Sequence, residues 1–474
     1  MAIHRLDRKA ASVPTENVPP LPLDRASPVP LAAQLADRLR DAASGGTLRP
    51  GDRLPSTRTL ATALDVSRTV TAAAYDQLLA EGWVAGRTGS GTYVTNVPAA
   101  GTGPAAPQRE PRPAADTDDP GPRYSLFPGR PCVAALDPAM WRRAWRAAAD
   151  PDPDDAPLPD GVPAFRAAVA EHLLRHRGLT ATTGDVLATA GTSAAVAELA
   201  RILPAGATVA VEEPGYRRAV SALRAAGLAV APVPVDADGL VVEQVPPGCA
   251  AVYCTPAHQF PLAVRMAAER RVALVERARA EDLLVIEDDY DGELRYDVAP
   301  LPLLAALAPE RVVHLGTSSK IVSPTLGAGW AVAPPAVRDA WLRLRSATGT
   351  RPSPAGQRVF AALAAHGDLA RHLRRLRREL RARREDVLAA AARAGLPASG
   401  DPAGAHLVLE LPGAEAERET VAGAPDVHVT GLADYYEGPP AASGLVVGFA
   451  AGSRTELATA LQLLLEPRPG ARHG

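Results

Sequence analysis

The chain has 474 residues, enough for two or three domains with separate cores, and a net charge of only −2. So small a charge argues against a protein that coats nucleic acid or membrane through bulk electrostatics. Its three cysteines are too scattered for a disulfide framework or a zinc site, so we expect buried thiols and no metal.

The N-terminal segment, MAIHRLDRKAASVPTENVPP, has basic residues but no apolar core after them, so a secretory signal is not predicted. No stretch of the chain approaches the ~20 apolar residues of a transmembrane helix. We therefore expect a cytoplasmic protein without a membrane partner.

Composition divides the chain into four segments. Residues 1–28 are polar and proline-rich, which predicts a disordered tail, and residues 29–97 have the pattern of a compact domain. Residues 98–122 are crowded with proline, glycine and alanine and predict an interdomain linker. Residues 123–467 alternate helical patterns with short β-rich runs such as LLVIEDDY and RVVHLG, which predicts an α/β domain with a mostly parallel sheet.

The small domain begins with an amphipathic helix pattern from Leu31 to Ala43. Ser56 can cap a second helix, STRTLATALDV, and Ser67 can cap a third, SRTVTAAAYDQLLAEG. The tight turn between these two helices predicts a helix-turn-helix. WVAGRTGSGTYV then predicts a β-hairpin with a glycine-rich tip. Together these elements predict a small α+β winged helix.

The placement of cations favours DNA as the partner of this domain. Arg68 and Thr69 open the third helix, whose N-terminal end enters the major groove in such motifs. Arg58 lies at the start of the preceding helix and Arg87 on the hairpin. The alternative is a winged helix that binds protein.

The segment LRPGDRLPSTRTLATALDVSRTVTAAAYDQLLAEGWVAGRTGSGTYV closely resembles the DNA-binding domain of GntR-type bacterial regulators. The resemblance covers nearly all of that domain. It implies that operator DNA is contacted by the residues at the start of the two helices and by the wing glycines: Arg58, Ser67, Arg68, Thr69, Gly89 and Gly91.

The chain contains only two lysines, Lys9 and Lys320, among 51 basic residues. Arginine can replace lysine as a surface charge, but not as an amine that loses its proton and attacks a carbonyl. Lys320, in HLGTSSK, is therefore a candidate nucleophilic amine, although chance retention is the alternative.

The run LLVIEDDYDGELRY carries a knot of carboxylates after a β-rich stretch. A calcium loop is one interpretation, but Val298 occupies the position of the required acid. Pyridoxal phosphate offers the better interpretation, because it needs a lysine, an acid at its ring nitrogen and a donor at its ring hydroxyl. Asp288 and Tyr290 are two residues apart, so we expect them on one face beside Lys320.

A phosphate group also needs donors. Thr317 and Ser318 precede the lysine and can offer hydroxyl groups. The backbone N–H groups of Gly191, Thr192 and Ser193 open a predicted helix, which is a common anion site.

From about Ser125 to Glu466 the chain resembles the class I aminotransferase fold, a PLP-dependent transferase of fold type I. The order of EEPGYRRAV, TPAHQFP, IEDDYDGELRY and GTSSKIVSP is similar to the MocR subfamily of GntR-type regulators. The resemblance implies that Lys320 forms the Schiff base, that Asp288 faces the pyridine nitrogen and that Tyr290 faces the ring hydroxyl. It also implies that Tyr216 stacks on the ring and that Thr317 and Ser318 donate to the phosphate. His258 and Gln259 match a signature near the cofactor.

Three departures from that family pattern bear on function. Gly327 stands where relatives carry an arginine that clamps the cofactor phosphate, which implies either a lower cofactor affinity or substitution by Arg217, Arg218 or a partner subunit's arginine. Val446 stands at about the position where aminotransferases carry the arginine for the substrate carboxylate, and Arg454 lies nearby but off that position. The proline–threonine–glycine signature is altered to Pro261-Leu262-Ala263.

These observations favour a homodimeric transcriptional regulator that binds operator DNA and senses pyridoxal phosphate or an amine that reacts with it. The missing carboxylate arginine favours a regulator of vitamin B6 synthesis over a regulator that responds to an amine. Two alternatives are an aminotransferase with an accessory DNA-binding domain, and a DNA-binding protein whose large domain is a cofactor-free dimerisation scaffold.

The run DLARHLRRLRRELRARREDVLAAAARAG invites a nucleic-acid interpretation. One face of this helical pattern is apolar, carrying Leu369, Leu373, Leu376 and Leu380, so a structural helix with a solvated arginine face is favoured.

Overall fold

A computed structural model of the chain describes residues 21–87, 91–95, 122–152, 155–156, 158–296 and 302–465. The chain divides into two compact units, Met1–Asp118 and Asp119–Gly474. Among the helices that are described, none has the length and apolar character needed to cross a membrane.

The first unit contains three helices and a hairpin, in the order that the sequence predicts. The elements are α1 (Leu31–Ser44), α2 (Thr57–Ala63), α3 (Arg68–Ala80), β1 (Val84–Arg87) and β2 (Gly91–Val94). The two strands pair antiparallel, with Val84 opposite Val94. The arrangement of helix, helix-turn-helix and hairpin is that of a winged helix.

Both predicted caps are present in this unit. The hydroxyl of Ser56 accepts a hydrogen bond from the backbone N–H of Thr59 at 3.1 Å, and that of Ser67 accepts one from Val70 at 3.3 Å. Each cap satisfies one of the free N–H groups at a helix start. The core beneath is formed by residues from all three helices and the hairpin, including Leu35, Leu39, Leu60, Tyr75, Leu78 and Val84.

Structure in this unit begins earlier than the sequence predicts. Leu21, assigned to the disordered tail of residues 1–28, is 6% exposed and packs into the core of the first unit. Gln34 of α1 fixes the same segment, because its amide accepts from the N–H of Asp24 and donates to the Asp24 carbonyl. The burial of Leu21 and these hydrogen bonds offset the conformational entropy that the segment loses when it is ordered. Its polar, proline-rich composition did not indicate them. Residues 1–20 lie outside the described residues.

Two further predictions fall on residues that the structure does not describe. The predicted linker of residues 98–122 is described only at its last residue. Gly89 at the wing tip and the side chain of Arg87 are also outside the described part of the chain.

The second unit is built on an eight-stranded sheet with the order β4-β11-β10-β9-β8-β5-β6-β7. β11 is antiparallel to both of its neighbours and β7 is antiparallel to β6, whereas the other adjacent pairs are parallel. The mixed, mostly parallel sheet agrees with the predicted α/β class. The strands are β4 (Val186–Thr189), β5 (Thr208–Glu213), β6 (Ala229–Asp236), β7 (Gly239–Leu240), β8 (Ala251–Cys254), β9 (Leu284–Asp288), β10 (Val312–Thr317) and β11 (Gly329–Val332).

A smaller antiparallel sheet has the order β12-β13-β16-β15, and a two-stranded parallel pair joins β3 to β14. These strands are β3 (Tyr124–Ser125), β12 (Ala398–Ser399), β13 (His406–Glu410), β14 (Val427–His428), β15 (Thr430–Gly431) and β16 (Gly444–Gly448).

Twelve helices are described in the second unit, and they pack on its sheets and on one another. They are α4 (Pro138–Ala149), α5 (Pro163–Arg177), α6 (Thr192–Ala200), α7 (Arg217–Ala225), α8 (Ala268–Ala280), α9 (Leu304–Leu307), α10 (Ser318–Ile321), α11 (Pro335–Thr348), α12 (Pro354–Ala365), α13 (Asp368–Arg393), α14 (Ala414–Ala422) and α15 (Arg454–Leu465). Side chains alternate between two buried cores, so that Val285 packs on one face and Ile286 on the other. The arginine-rich run forms α13, and its leucines are buried as predicted.

Candidate functional site

The predicted cofactor residues lie at one edge of the large sheet. Asp288 is the last residue of β9, and Lys320 lies three residues beyond the end of the adjacent β10. The start of α6 follows β4, whose partner β11 is paired with β10. Since β4, β9 and β10 run in the same direction, their carboxyl ends bring these residues together.

Asp288 is 3% exposed, and one of its carboxylate oxygens, Oδ2, accepts a hydrogen bond of 2.7 Å from Tyr253. The other oxygen, Oδ1, is buried and has no hydrogen-bond partner within the described chain. Burial raises the pKa of Asp288 to about 7, the bond from Tyr253 opposes that rise and the neighbouring Asp289 adds to it. An N–H group facing Oδ1 would be a strong partner for this carboxylate.

Lys320 is half-buried, and its Nζ donates a hydrogen bond of 2.5 Å to the carbonyl oxygen of Gly129. Burial lowers the pKa of the amine, whereas Asp291 and Asp288 oppose that shift. The lowered pKa increases the fraction of neutral amine, which is the nucleophilic form.

At the start of α6, the N–H of Gly191 donates to the hydroxyl of Thr189 at 3.2 Å, so of the predicted anion donors only the N–H groups of Thr192 and Ser193 remain. Gly191 has a φ of +120° and no side-chain cap is present, so the first N–H groups of the nine-residue helix are left for a ligand. A Cβ built on Gly191 would lie 3.6 Å from the hydroxyl oxygen of Thr317, so backbone and hydroxyl converge here. The Thr317 hydroxyl accepts from the N–H of Ser319 at 3.1 Å and still has its own hydrogen to donate.

Two predicted side chains are differently engaged. The hydroxyl of Ser318 is fully buried and donates to the carbonyl of Ala328 at 2.6 Å, so its hydrogen is not free for a phosphate. Tyr290 follows the end of β9, and its hydroxyl donates to the carbonyl of His258 at 3.0 Å. The alternation rule therefore does not apply to Tyr290, because the strand ends at Asp288.

Tyr216, the predicted stacking residue, lies just before α7 and is held at its hydroxyl by Ser193, 2.8 Å away. Burial raises the pKa of Tyr216, and the bond to Ser193 and the charge of Arg218 oppose that rise. Arg217 donates to the carbonyl of Asp434 at 2.7 Å. Arg218 forms no ion pair within the described residues, and its charge also lowers the pKa of Lys320.

The structure shows what surrounds the two lost arginines. Gly327 has a φ of +52°, and no atom lies within 4 Å of a Cβ built on it. Val446 is fully buried in an apolar cluster with Val408, Leu432 and Tyr435. The surroundings of Val446, where the family resemblance implies a carboxylate-binding arginine, are thus largely apolar.

The carboxylate knot is largely structural. Asp289 forms a buried ion pair with Arg177, with a nitrogen–oxygen distance of 2.6 Å. Glu293 bonds to His172 at 2.8 Å, and Glu287 accepts two backbone N–H groups at the start of α9. These three carboxylates are therefore engaged by protein partners.

Sequence reasoning missed Tyr253, which anchors Asp288. Its position in β8, the strand beside β9, was the available signal. It also missed that His258 lies close to both Asp291 and His406. Nδ1 of His258 is 2.9 Å from a carboxylate oxygen of Asp291. His258 lies in the loop after β8 and His406 in β13 of the small sheet, so no local pattern predicts their contact.

The first unit presents the predicted DNA-binding residues on its surface. Arg58, Ser67, Arg68 and Thr69 are all exposed, at the N-terminal ends of α2 and α3. Neither guanidinium forms an ion pair within the described residues, so both are available to phosphate or base edges.

The base of the wing adds a residue that the sequence did not reveal. Gly91 has a φ of +111°, and a Cβ built there would lie 2.8 Å from Nε of Arg53. Glycine at this position lets the Arg53 side chain pack against the hairpin. Arg53 therefore places a further cation beside the wing.

Comparisons with known proteins match a different family to each of the two units of the chain. Residues 31–94 match the bacterial regulatory proteins of the gntR family, and residues 133–462 match class I and II aminotransferases. The chain is 36% identical to the HTH-type pyridoxine biosynthesis transcriptional regulator PdxR of Corynebacterium glutamicum, over 92% of this chain and 95% of that protein. It is also 36% identical to the probable rhizopine catabolism regulatory protein MocR of Rhizobium meliloti, over 79% of each.

A solved structure similar to the second unit is that of an archaeal alanine:glyoxylate aminotransferase. The TM-score is 0.68 and the identity 23%, with 73% of this chain and 91% of that chain covered. At this identity the likeness establishes the fold alone.

Proposed function

This chain belongs to the MocR type of GntR-family transcriptional regulators, in which a winged helix is fused to a fold type I aminotransferase-like domain, and we propose that pyridoxal phosphate bound at Lys320 controls its attachment to operator DNA. The observation that carries the proposal is that one site holds both a buried Asp288 oxygen, which has no hydrogen-bond partner among the described residues, and the Lys320 amine, whose pKa is lowered. The pyridoxine regulator named above supports the choice of cofactor.

The residues present fit that cofactor. Oδ1 of Asp288 would accept the hydrogen of a protonated pyridine nitrogen, and Tyr253 would hold the carboxylate in place. The N–H groups that open α6, together with Thr317, would bind the phosphate. When bound, pyridoxal phosphate supplies an aldehyde that an amine can attack and a ring that withdraws electrons.

The chain's own part is to position groups and move protons. Burial keeps a fraction of Lys320 neutral, and the carbonyl of Gly129 orients its Nζ. The neutral Nζ of Lys320 would be the group that holds the cofactor covalently at its aldehyde carbon. Ser193 fixes the hydroxyl of Tyr216, which would place that ring against the cofactor.

Arg218 is proposed as the cation that replaces the lost phosphate clamp. It is exposed, lies two residues after Tyr216, and forms no ion pair in the described chain. Because a charge-assisted bond contributes about 1.5–3 kcal/mol, Arg218→Ala is expected to weaken binding of pyridoxal phosphate by roughly 10- to 100-fold. Arg217→Ala is the matched control, since its guanidinium is engaged by Asp434, and less than about 3-fold is expected. Equal losses in a fluorescence titration would contradict the assignment.

Gly327→Arg tests the same phosphate group by restoring the family's residue. The space beyond Gly327 is open, so the substitution costs only the left-handed conformation, about 1–2 kcal/mol. We expect the affinity for pyridoxal phosphate to rise about tenfold, through a bidentate guanidinium–phosphate contact. Gly327→Ala has the same backbone cost without the cation and should show no gain. If both variants bind alike, the phosphate lies elsewhere.

The effector is proposed to be pyridoxal phosphate itself, not an amino acid. The apolar cluster around Val446 offers no cation to an α-carboxylate. Transamination of an amino acid would require such a partner, because a buried carboxylate without one is strongly disfavoured.

The protein is proposed to act as a homodimer on repeated half-sites, with one winged helix on each. DNA fragments selected from a random library by the full-length protein would define the site, and nuclease footprints would give its span. A footprint that changes when pyridoxal phosphate is added supports the proposal. The same footprint and the same affinity with and without the cofactor would refute it.

A further inference from the structure

Next to Lys320 lies a group of three buried side chains that the proposed function does not use as a group: His258, Asp291 and His406, here called the histidine cluster. They are 1%, 3% and 2% exposed. One ligand atom from each lies within 4.8 Å of the other two, and among the described residues no other three histidine, cysteine or acidic side chains do so.

The fold brings these residues together from distant parts of the second unit. His258 lies in the loop after β8, Asp291 follows β9, and His406 is the first residue of β13 in the small sheet. Gly404 packs onto the first two: its φ is +63°, and a Cβ built there would lie 2.2 Å from Cε1 of His258 and 2.6 Å from Oδ2 of Asp291. Backbone packing therefore fixes both side chains.

Several polar atoms of the cluster lack partners. Nδ1 of His258 lies 2.9 Å from Oδ2 of Asp291. His258 Nε2, Asp291 Oδ1 and His406 Nε2 are buried and have no hydrogen-bond partner in the described chain. Buried polar atoms without partners are rare, and a bound ion is one recognised reason for them.

The chemistry of these donors suits a transition metal. Two neutral imidazoles and a carboxylate are ligands of zinc and related divalent ions, with bonds of about 2.0–2.2 Å. A nitrogen and an oxygen 2.9 Å apart can both reach one such ion.

We propose that the histidine cluster binds a divalent transition-metal ion, with Zn²⁺ as the ion to test. The metal replaces the proton shared by His258 and Asp291, with His406 as the third ligand, and that proton is released to solvent. Three protein ligands leave a further coordination position. Asp291 and His406 line the same cavity as Lys320 and Tyr290, which places the ion beside the amine.

The experiment uses the tag-free, full-length protein after treatment with a chelator and without pyridoxal phosphate. Equilibrium dialysis with Zn²⁺ should give about one ion per chain, and Co²⁺ should give the visible absorption of a histidine–carboxylate site. His406→Gln and Asp291→Asn should each weaken binding at least tenfold. His366→Gln removes an exposed histidine outside the cluster and should change nothing.

A wild-type measurement keeps the proposal open to refutation if a variant fails to fold. Zn²⁺ should raise the thermal unfolding temperature of the wild type, and its affinity should fall as the pH is lowered, because the ligands are protonated. No binding by the wild type, or equal binding by both cluster variants, would overturn the proposal. Lys320→Ala should still bind Zn²⁺, so this result is independent of the cofactor.

Discussion

Lys320→Ala is expected to abolish the visible absorption band that the wild-type protein develops with pyridoxal phosphate. The band requires a covalent bond between a neutral amine and the cofactor aldehyde. Burial lowers the pKa of Lys320, and no other lysine lies in the described chain, since Lys9 falls within residues 1–20. The loss should therefore be complete, and not a shift in affinity.

Two companion variants separate chemistry from charge. Lys320→Arg keeps the cation but lacks a reactive amine, so it should also lose the band. Lys9→Arg should retain it. A band of wild-type strength in Lys320→Ala would mean that the cofactor reacts at Lys9 or at the N-terminus. That result would contradict the placement of the cofactor site at Lys320.

Arg68→Ala is expected to reduce operator affinity by roughly 10- to 100-fold, the range for loss of a specific base or phosphate contact. Arg68 is the first residue of α3, is exposed, and has no ion pair within the described part of the first unit. Fluorescence anisotropy on a selected DNA site would measure the loss.

The matched control for this prediction is Arg38→Ala. Arg38 is also exposed and unpaired in the described residues, but it lies on α1. The two variants change the net charge equally, so a general electrostatic effect would weaken DNA binding alike in both. That outcome would contradict the placement of α3 in the groove. If Arg68 contacts phosphate, Arg68→Ala should also reduce the slope of log affinity against log salt concentration by about one.

Local signals in the sequence predicted much of this architecture. Ser56 and Ser67 cap the helices they were expected to cap, because capping depends on the next three residues alone. Asp288 ends β9 and Lys320 follows the parallel strand β10, and the alternation of strands and helices predicted such a parallel sheet, although not that these two strands are neighbours.

The failures concern contacts between distant segments or side chains with two possible partners. Tyr253 reaches Asp288 only because β8 and β9 are neighbours in a strand order that the sequence does not state. The hydroxyl of Ser318 could donate a hydrogen bond to a phosphate, but it donates instead to the nearby carbonyl of Ala328. Leu21 lies in a polar, proline-rich segment, yet it fills the core of the first unit.

The central claim is that pyridoxal phosphate acts through Lys320 to change DNA binding. The most direct test is the affinity of wild-type protein and of Lys320→Ala for one selected DNA site, each measured by fluorescence anisotropy with and without the cofactor. We predict that the cofactor shifts the wild-type dissociation constant and leaves that of Lys320→Ala unchanged. Equal shifts in both proteins, or no shift in the wild type, would contradict the claim.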